Sequence, residues 1–252
     1  IIAVGTRFTD FTTASKSLFA KAQVVTINAS EFHAGKLEAV KAVGDAKSGT
    51  VALGKLLEGY RSSYNGEIAA AKAAWDKEMK RLTSIEIDEK YKPEIDSHTP
   101  DAVDAFIKAH GGAMAQTTAI GIIRENIPAD AIIVGSSGSL PGDLQRMWTT
   151  DCVDSYNMEY GYSCMGYEIA GALGAKMANP DREVYAMVGD GSYLMLHTEM
   201  VTAVQEGIKI NVIVFDNASF GCINNLQMEQ GIDSLCTELR YRKGNKPIRE
   251  GK

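Results

Sequence analysis

No CxxC pair occurs in this 252-residue sequence, and its four cysteines, Cys152, Cys164, Cys222 and Cys236, lie far apart. Cysteines so scattered build neither a disulfide framework nor a zinc cluster, and free thiols suit a reducing compartment, so a cytoplasmic setting is expected. Dense Lys/Arg runs are also missing, and the formal net charge of −6 leaves no electrostatic footprint for nucleic acid. No stretch approaches the ~20 apolar residues that a membrane span needs, so no membrane partner is expected. The GxxxxGK[ST] signature of a P-loop is absent. What remains is 45% hydrophobic and 23% charged residues with a mean hydropathy of −0.13, the balance of a globular chain with a substantial apolar core.

The periodicities fall into two groups. Residues 1–4 and 24–27 read as strands rich in β-branched side chains. Residues 51–60 and 63–82 read as helices, the second with Trp75 and Met79 four apart on one face. Between Ser84 and Pro100 the pattern breaks into a charged stretch that ends His98-Thr99-Pro100. The domain boundary is therefore placed near residue 97, with 1–97 as the latter part of one α/β domain plus a linker and 98–252 as a second domain. In that second domain, helices over 114–126, 165–178 and 192–206 alternate with strands over 131–134, 184–188 and 210–215, and a Gly/Ser-rich loop covers 135–142. Such alternation predicts an α/β fold, a mostly parallel sheet with helices on both faces. Gly171 and Gly174, with alanines around them, predict close packing of the 165–178 helix. The chain opens on a strand already under way, and residues 241–252 close on no strand or helix. Further protein is accordingly expected beyond both ends, with the second domain truncated at its C-terminus.

Residues 184–217 concentrate the chemistry: a buried strand, Gly189-Asp190-Gly191-Ser192, a helix, a second buried strand, then Asp216-Asn217. As one βαβ unit with directly paired strands, about 4.8 Å apart, this segment brings both strand ends to one edge of the sheet. Asp190 and Asn217 then present a carboxylate and an amide oxygen side by side. With a backbone carbonyl nearby, they suit a hard divalent cation completed by phosphate oxygens and water, and magnesium fits that description. Gly189 and Gly191 are expected to let the backbone approach a ligand and turn sharply. Ser192 is expected at a helix start, where free N–H groups attract an anion such as a diphosphate.

The run from Gly189-Asp190-Gly191-Ser192 to Asp216-Asn217 resembles the cofactor-binding motif of thiamine diphosphate (ThDP)-dependent enzymes, and the interval from Asp190 to Asn217 is the one that motif requires. The resemblance implies metal binding by the side chains of Asp190 and Asn217 and by the carbonyl of Ser219. Asp216 departs from the family, which often has Asn there. Residues 132–139 resemble the earlier strand and loop that also approach the cofactor, which implicates Ser137, Gly138 and Ser139. Residues 160–166 resemble the loop before the central helix, where a bulky apolar side chain, here Met165, is implied to wedge beneath the cofactor and keep it bent. Residues 3–8 and 26–28 are similar to the end of the central domain in the acetohydroxyacid synthase-like branch.

Within that branch, residues 139–144, 158–170 and 206–211 look most like the members that hydrolytically open a cyclic 1,2-diketone in inositol catabolism. The resemblance thus implies ThDP and Mg2+ as cofactors and a small cyclic diketone as substrate. The catalytic glutamate belongs to a pyrimidine-binding domain for which no counterpart is found here. No catalytic residue is therefore assigned in this chain, which is expected to be inactive alone and to work in a homo-oligomer beside the pyrimidine domain of a neighbouring subunit. An acetolactate synthase-like carboligase and a non-catalytic or regulatory ThDP-domain protein stay open as alternatives. A dinucleotide-binding oxidoreductase ranks low, because Gly135, Gly138 and Gly142 lack the GxGxxG spacing and no acidic residue ends a strand about 20 positions on.

Overall fold

The structure, a computed structural model, describes residues 1–92, 106–159, 161–232 and 234–239, together with the backbone of 242–243 and 246–247. It divides into two compact units, residues 1–69 and 70–252. The boundary expected near residue 97 lies outside the described residues.

In the first unit, β1 (Ile2–Val4), β2 (Val25–Asn28) and β3 (Val40–Val43) form a parallel sheet in the order β1-β2-β3. The short helices α1 (Asp10–Thr13) and α2 (Glu31–Ala34) and the longer α3 (Ala46–Leu56) accompany it. Thr26 and Ile27 of the central strand are buried, as is Ala34. Strand β3 escaped the sequence reading because its residues are all exposed and show no apolar alternation.

Helix α4 (Gly66–Thr83) crosses the division, and its C-terminal turns carry Met79 and Leu82 into the core of the second unit. Trp75 does not share their burial; it is 43% exposed. The second unit continues with β4 (Glu86–Ile87), β5 (Ala113–Met114), α5 (Gln116–Asn126), β6 (Ile132–Gly135), α6 (Ser139–Met147), β7 (Tyr156–Met158), α7 (Tyr167–Ala178), β8 (Val184–Gly189), α8 (Asp190–Met195), α9 (Glu199–Gln205), β9 (Asn211–Phe215) and α10 (Gly221–Glu229). Its main sheet has the order β7-β6-β8-β9, and every pairing in it is parallel.

Successive residues on a strand face opposite sides of a sheet, and the two cores follow from that alternation. Ile133 and Met187 point to one face, where they meet Leu82, Ile120, Leu140, Leu144 and Met147 from α4, α5 and α6. Ile132, Val134, Val184, Ala186 and Val188 point to the other, against Ile169 and Ala172 of α7, with Met200 of α9 beside them. Both faces of the parallel sheet are covered, as the alternating pattern requires.

Three boundaries differ from the sequence expectation. The Gly/Ser loop is shorter, because Ser139 already begins α6. The helix expected over 192–206 starts at Asp190 and splits into α8 and α9 at Leu196, whose extended backbone brings its Cβ against Gly166. The tail, expected to close on no strand, pairs Arg242–Lys243 with Lys246–Pro247 in antiparallel fashion.

The glycines of α7 differ in function. A Cβ on Gly171 meets the Tyr167 ring at 2.7 Å and buried Val134 Cγ1 at 3.0 Å, whereas one on Gly174 meets nothing. Gly171→Val therefore overpacks the helix–sheet contact and destabilises by about 1–3 kcal/mol. Gly174→Ala removes a helix-interior glycine and stabilises by up to about 1 kcal/mol. Denaturant midpoints read both, and a common sign for the two substitutions overturns this account of the packing.

Candidate functional site

The C-terminal ends of β6, β8 and β9 open on the same edge because the strands are parallel. Strand order reverses direction there: β7 lies on one side of β6 and β8 on the other. In open α/β sheets this reversal leaves a crevice at the strand tips, the usual place for a ligand.

Strands β8 and β9 pair directly, with Gly189 opposite Phe215. Asp190 is therefore the next residue on one strand tip and Asp216 the next on its neighbour. The Asp190 carboxyl is half-buried, and burial pushes its pKa above the ordinary 3.8. The backbone N–H of Gly191 pulls it down, the charge and hydrogen bond of Asp216 push it up again, and the backbone N–H of Ser219 offsets part of the rise. Asp190, Asp216 and the Ser219 backbone thus meet at one point. Asn217 is exposed beside them, and its Oδ1 accepts from Ser219 N at 3.0 Å and Ser219 Oγ at 3.1 Å. Ala218 turns the chain between them in the left-handed region, at φ 53°. Asp216, where the sequence departs from the motif, is a second carboxyl in this cluster. Oxygen donors of this kind accept a hard divalent cation.

Neither glycine of the GDGS turn has a positive φ, and only Gly191 is required by packing. A Cβ on Gly191 strikes the Phe220 ring at 2.6 Å, while one on Gly189 points into open space at the strand tip. Ser192 is buried, and its Oγ lies 2.8 and 2.9 Å from the two carboxyl oxygens of Glu168, to which it donates. The same Oγ accepts from Gly166 N at 2.7 Å. With its hydroxyl held inward, Ser192 has only backbone to offer an anion.

Glu168, only 1% exposed, was not singled out from the sequence. The available signal was a lone acid at the start of the apolar, small-residue run of α7. Burial pushes its pKa up, while its own N–H, the Ser192 hydroxyl and the Gly166 N–H pull it back. Met165 is half-buried in the turn before α7. Ser136 at the tip of β6 donates to the carbonyl of Cys164 in the same turn. Ser137 is half-buried, and Gly138 and Ser139 are exposed at that tip. His197 stacks on Tyr193, with ring centroids 4.9 Å apart, and its Nδ1 lies 2.9 Å from the Tyr193 carbonyl, an arrangement that accounts for it by packing.

Residues 136–248 match the family described as thiamine pyrophosphate enzyme, C-terminal TPP binding domain, thiamine pyrophosphate being ThDP. Over 242 residues the chain is 60% identical to the 3D-(3,5/4)-trihydroxycyclohexane-1,2-dione hydrolase of Geobacillus thermodenitrificans (strain NG80-2), an alignment that covers 96% of this chain and 38% of that protein. It is 59% identical over 255 residues to the protein of the same name from Clostridium perfringens (strain 13 / Type A), covering 100% of this chain and 40% of the relative. The chain thus spans about two fifths of the length of the curated relatives it matches. Among solved structures, the Rhodococcus jostii RHA1 thiamine diphosphate-dependent 4-hydroxybenzoylformate decarboxylase aligns with a TM-score of 0.61 at 17% identity, over 89% of this chain and 36% of that one, a likeness of fold.

A raised carboxyl pKa means that the folded state keeps its proton where the unfolded chain has lost it, so stability falls as pH rises through that interval. For Asp190 the interval begins near 3.8 and ends at its raised midpoint. Removing the neighbouring charge with Asp216→Asn lowers that midpoint and narrows the interval. A carbon-detected NMR titration of the metal-free protein reads the change; an unmoved Asp190 midpoint contradicts the carboxyl pair.

Proposed function

We propose that this chain, whose residues 136–248 match the thiamine pyrophosphate-binding domain family, is the diphosphate- and magnesium-anchoring part of a hydrolase that opens trihydroxycyclohexane-1,2-dione to 5-deoxyglucuronate in inositol catabolism. The observation that carries the proposal is the carboxyl pair of Asp190 and Asp216 at neighbouring strand tips. Two acids held together repel one another when ionised, and a divalent cation relieves that repulsion without a proton.

The residues fit the implied cofactor. Residues 98–252 are the cofactor domain in this reading, and Asp190, Asn217 and the Ser219 carbonyl are the metal ligands. Asp216 adds negative charge beside them. Gly189, Gly191 and the backbone of Ser192 border the diphosphate, and the open space over Gly189 leaves room for it. Ser137, Gly138 and Ser139 approach from the tip of β6, and Met165 is the apolar prop beneath the cofactor. When bound, ThDP supplies a carbanion-type nucleophile and an electron sink for cleavage of a bond next to a carbonyl. The side chains here hold and orient it, and none is assigned a proton-transfer step. The group that activates the cofactor is assigned to the pyrimidine domain of a neighbouring subunit, which makes the working protein a homo-oligomer.

Asp190→Ala tests the anchor. A contact to a charged group contributes about 1.5–3 kcal/mol, so calorimetric titration of the full-length protein with ThDP and Mg2+ should show affinity reduced by roughly 10-fold or more. Parent-like binding by that variant refutes the site. Substrate class is tested separately on the full-length enzyme, by following consumption of the cyclic dione against condensation of pyruvate. Turnover of pyruvate alone favours a carboligase.

A further inference from the structure

Glu168 lies outside every role given so far, yet among the described residues it is the most buried acid of the second unit. Burying a carboxyl without partners costs several kcal/mol, so its surroundings need an explanation. Its Oε2 accepts from Gly166 N at 2.9 Å, and both its oxygens face Ser192 Oγ. The Gly166 N–H is shared between Glu168 and Ser192 Oγ. Gly166 itself has φ 89°, and a Cβ there strikes Leu196 Cβ at 2.8 Å. The turn before α7 is therefore clamped against α8 at its start, through Ser192, and just past its end, through Leu196.

The consequence falls on Met165. Its preceding peptide supplies the Cys164 carbonyl, which Ser136 holds. Its following peptide supplies the Gly166 N–H, which Glu168 and Ser192 hold. Both peptide planes flanking Met165 are fixed, one to the tip of β6 and the other to the turn that carries Asp190. We infer that Glu168 is a positioning residue that sets the apolar prop Met165 at a fixed place relative to the diphosphate anchor. This inference rests on the cofactor reading above. It adds a specific division of labour: the Asp190 end binds the diphosphate, and Glu168 governs how well the remainder of the cofactor seats.

Two probes separate these functions, Mg2+ with inorganic pyrophosphate and Mg2+ with ThDP, each titrated calorimetrically into the full-length protein. Glu168→Ala should weaken ThDP by roughly 10-fold or more, the usual effect of losing a supporting contact, and leave pyrophosphate within about 3-fold. Glu168→Gln should restore ThDP binding to within about 3-fold, because its amide oxygen accepts from Gly166 N–H and the Ser192 hydroxyl can reverse from donor to acceptor. Asp190→Ala should weaken both probes; if it weakens neither, the cofactor reading itself has failed. If Asp190→Ala does weaken both, the inference about Glu168 is overturned by any of three results. These are parent-like ThDP binding in Glu168→Ala, equal loss of both probes, or absence of rescue by Gln. Should Glu168→Ala not fold, Glu168→Met carries the test, since it keeps the buried volume and removes the acceptor oxygens that hold Gly166 N–H and the Ser192 hydroxyl. Loss confined to ThDP then supports the inference, and unchanged binding of both probes overturns it.

Discussion

The parallel pairing of β8 with β9, in the register that sets Gly189 opposite Phe215, is the constraint on which the site depends. One residue further along each strand, hydrogen bonding between backbones ends and side chains take over. Asp190 and Asp216 reach those positions together, and so their carboxyls meet. Unit charges about 4 Å apart repel by roughly 4 kcal/mol at an effective dielectric near 20. A folded chain holding two such groups must share a proton, bind a cation or tolerate that repulsion. A slip of one residue in the register would separate the pair and exchange the side chains of β8 between its two packed faces.

A second group of interactions lies beneath that edge and gives it rigidity. Ser136, the Cys164 carbonyl, Gly166, Glu168 and Ser192 come from the tip of β6, the turn before α7 and the start of α8. These contacts cross between elements, so no one segment can shift alone. Polar networks of this kind stabilise only when every member is satisfied. Here the Glu168 carboxyl has two donors, and the Ser192 hydroxyl both donates and accepts. Gly191 and Gly166 complete the arrangement by leaving room for the Phe220 ring and for Leu196.

The two acids have related electrostatics and different surroundings. Burial is the largest influence raising each pKa. Glu168 is then compensated by donors of its own chain, with no other acid among the causes of its shift. Asp190 keeps an acidic neighbour, and the open space over Gly189 lies at the same strand tip. One acid is completed by the fold and the other is left with a charge that a ligand can answer. In the proposed reading that difference separates a support from an anchor, although both sit at the start of a helix.

Sequence by itself determined the alternation of strands and helices, the two covered faces and the strand tips that matter. Those follow from local periodicity: apolar β-branched runs, small residues in α7 and the glycine-flanked Asp190 all act within a few neighbours along the chain. The pairing of β8 with β9 was legible too, because a short crossover helix leaves few alternatives. The roles of Asp216 and Glu168 were decided only by tertiary structure. Asp216 looked like a substitution in a motif until register set it against Asp190, and Glu168 looked like one acid in an apolar helix until α8 brought Ser192 over it. Strands β3 and β7 were also illegible: β3 is exposed throughout, and the alternation of Tyr156-Asn157-Met158 in β7 runs for only three residues. A carboxyl's state depends on burial and on the charges and donors around it, and here Ser192 lies 24 residues from Glu168 and Asp216 lies 26 residues from Asp190 in sequence.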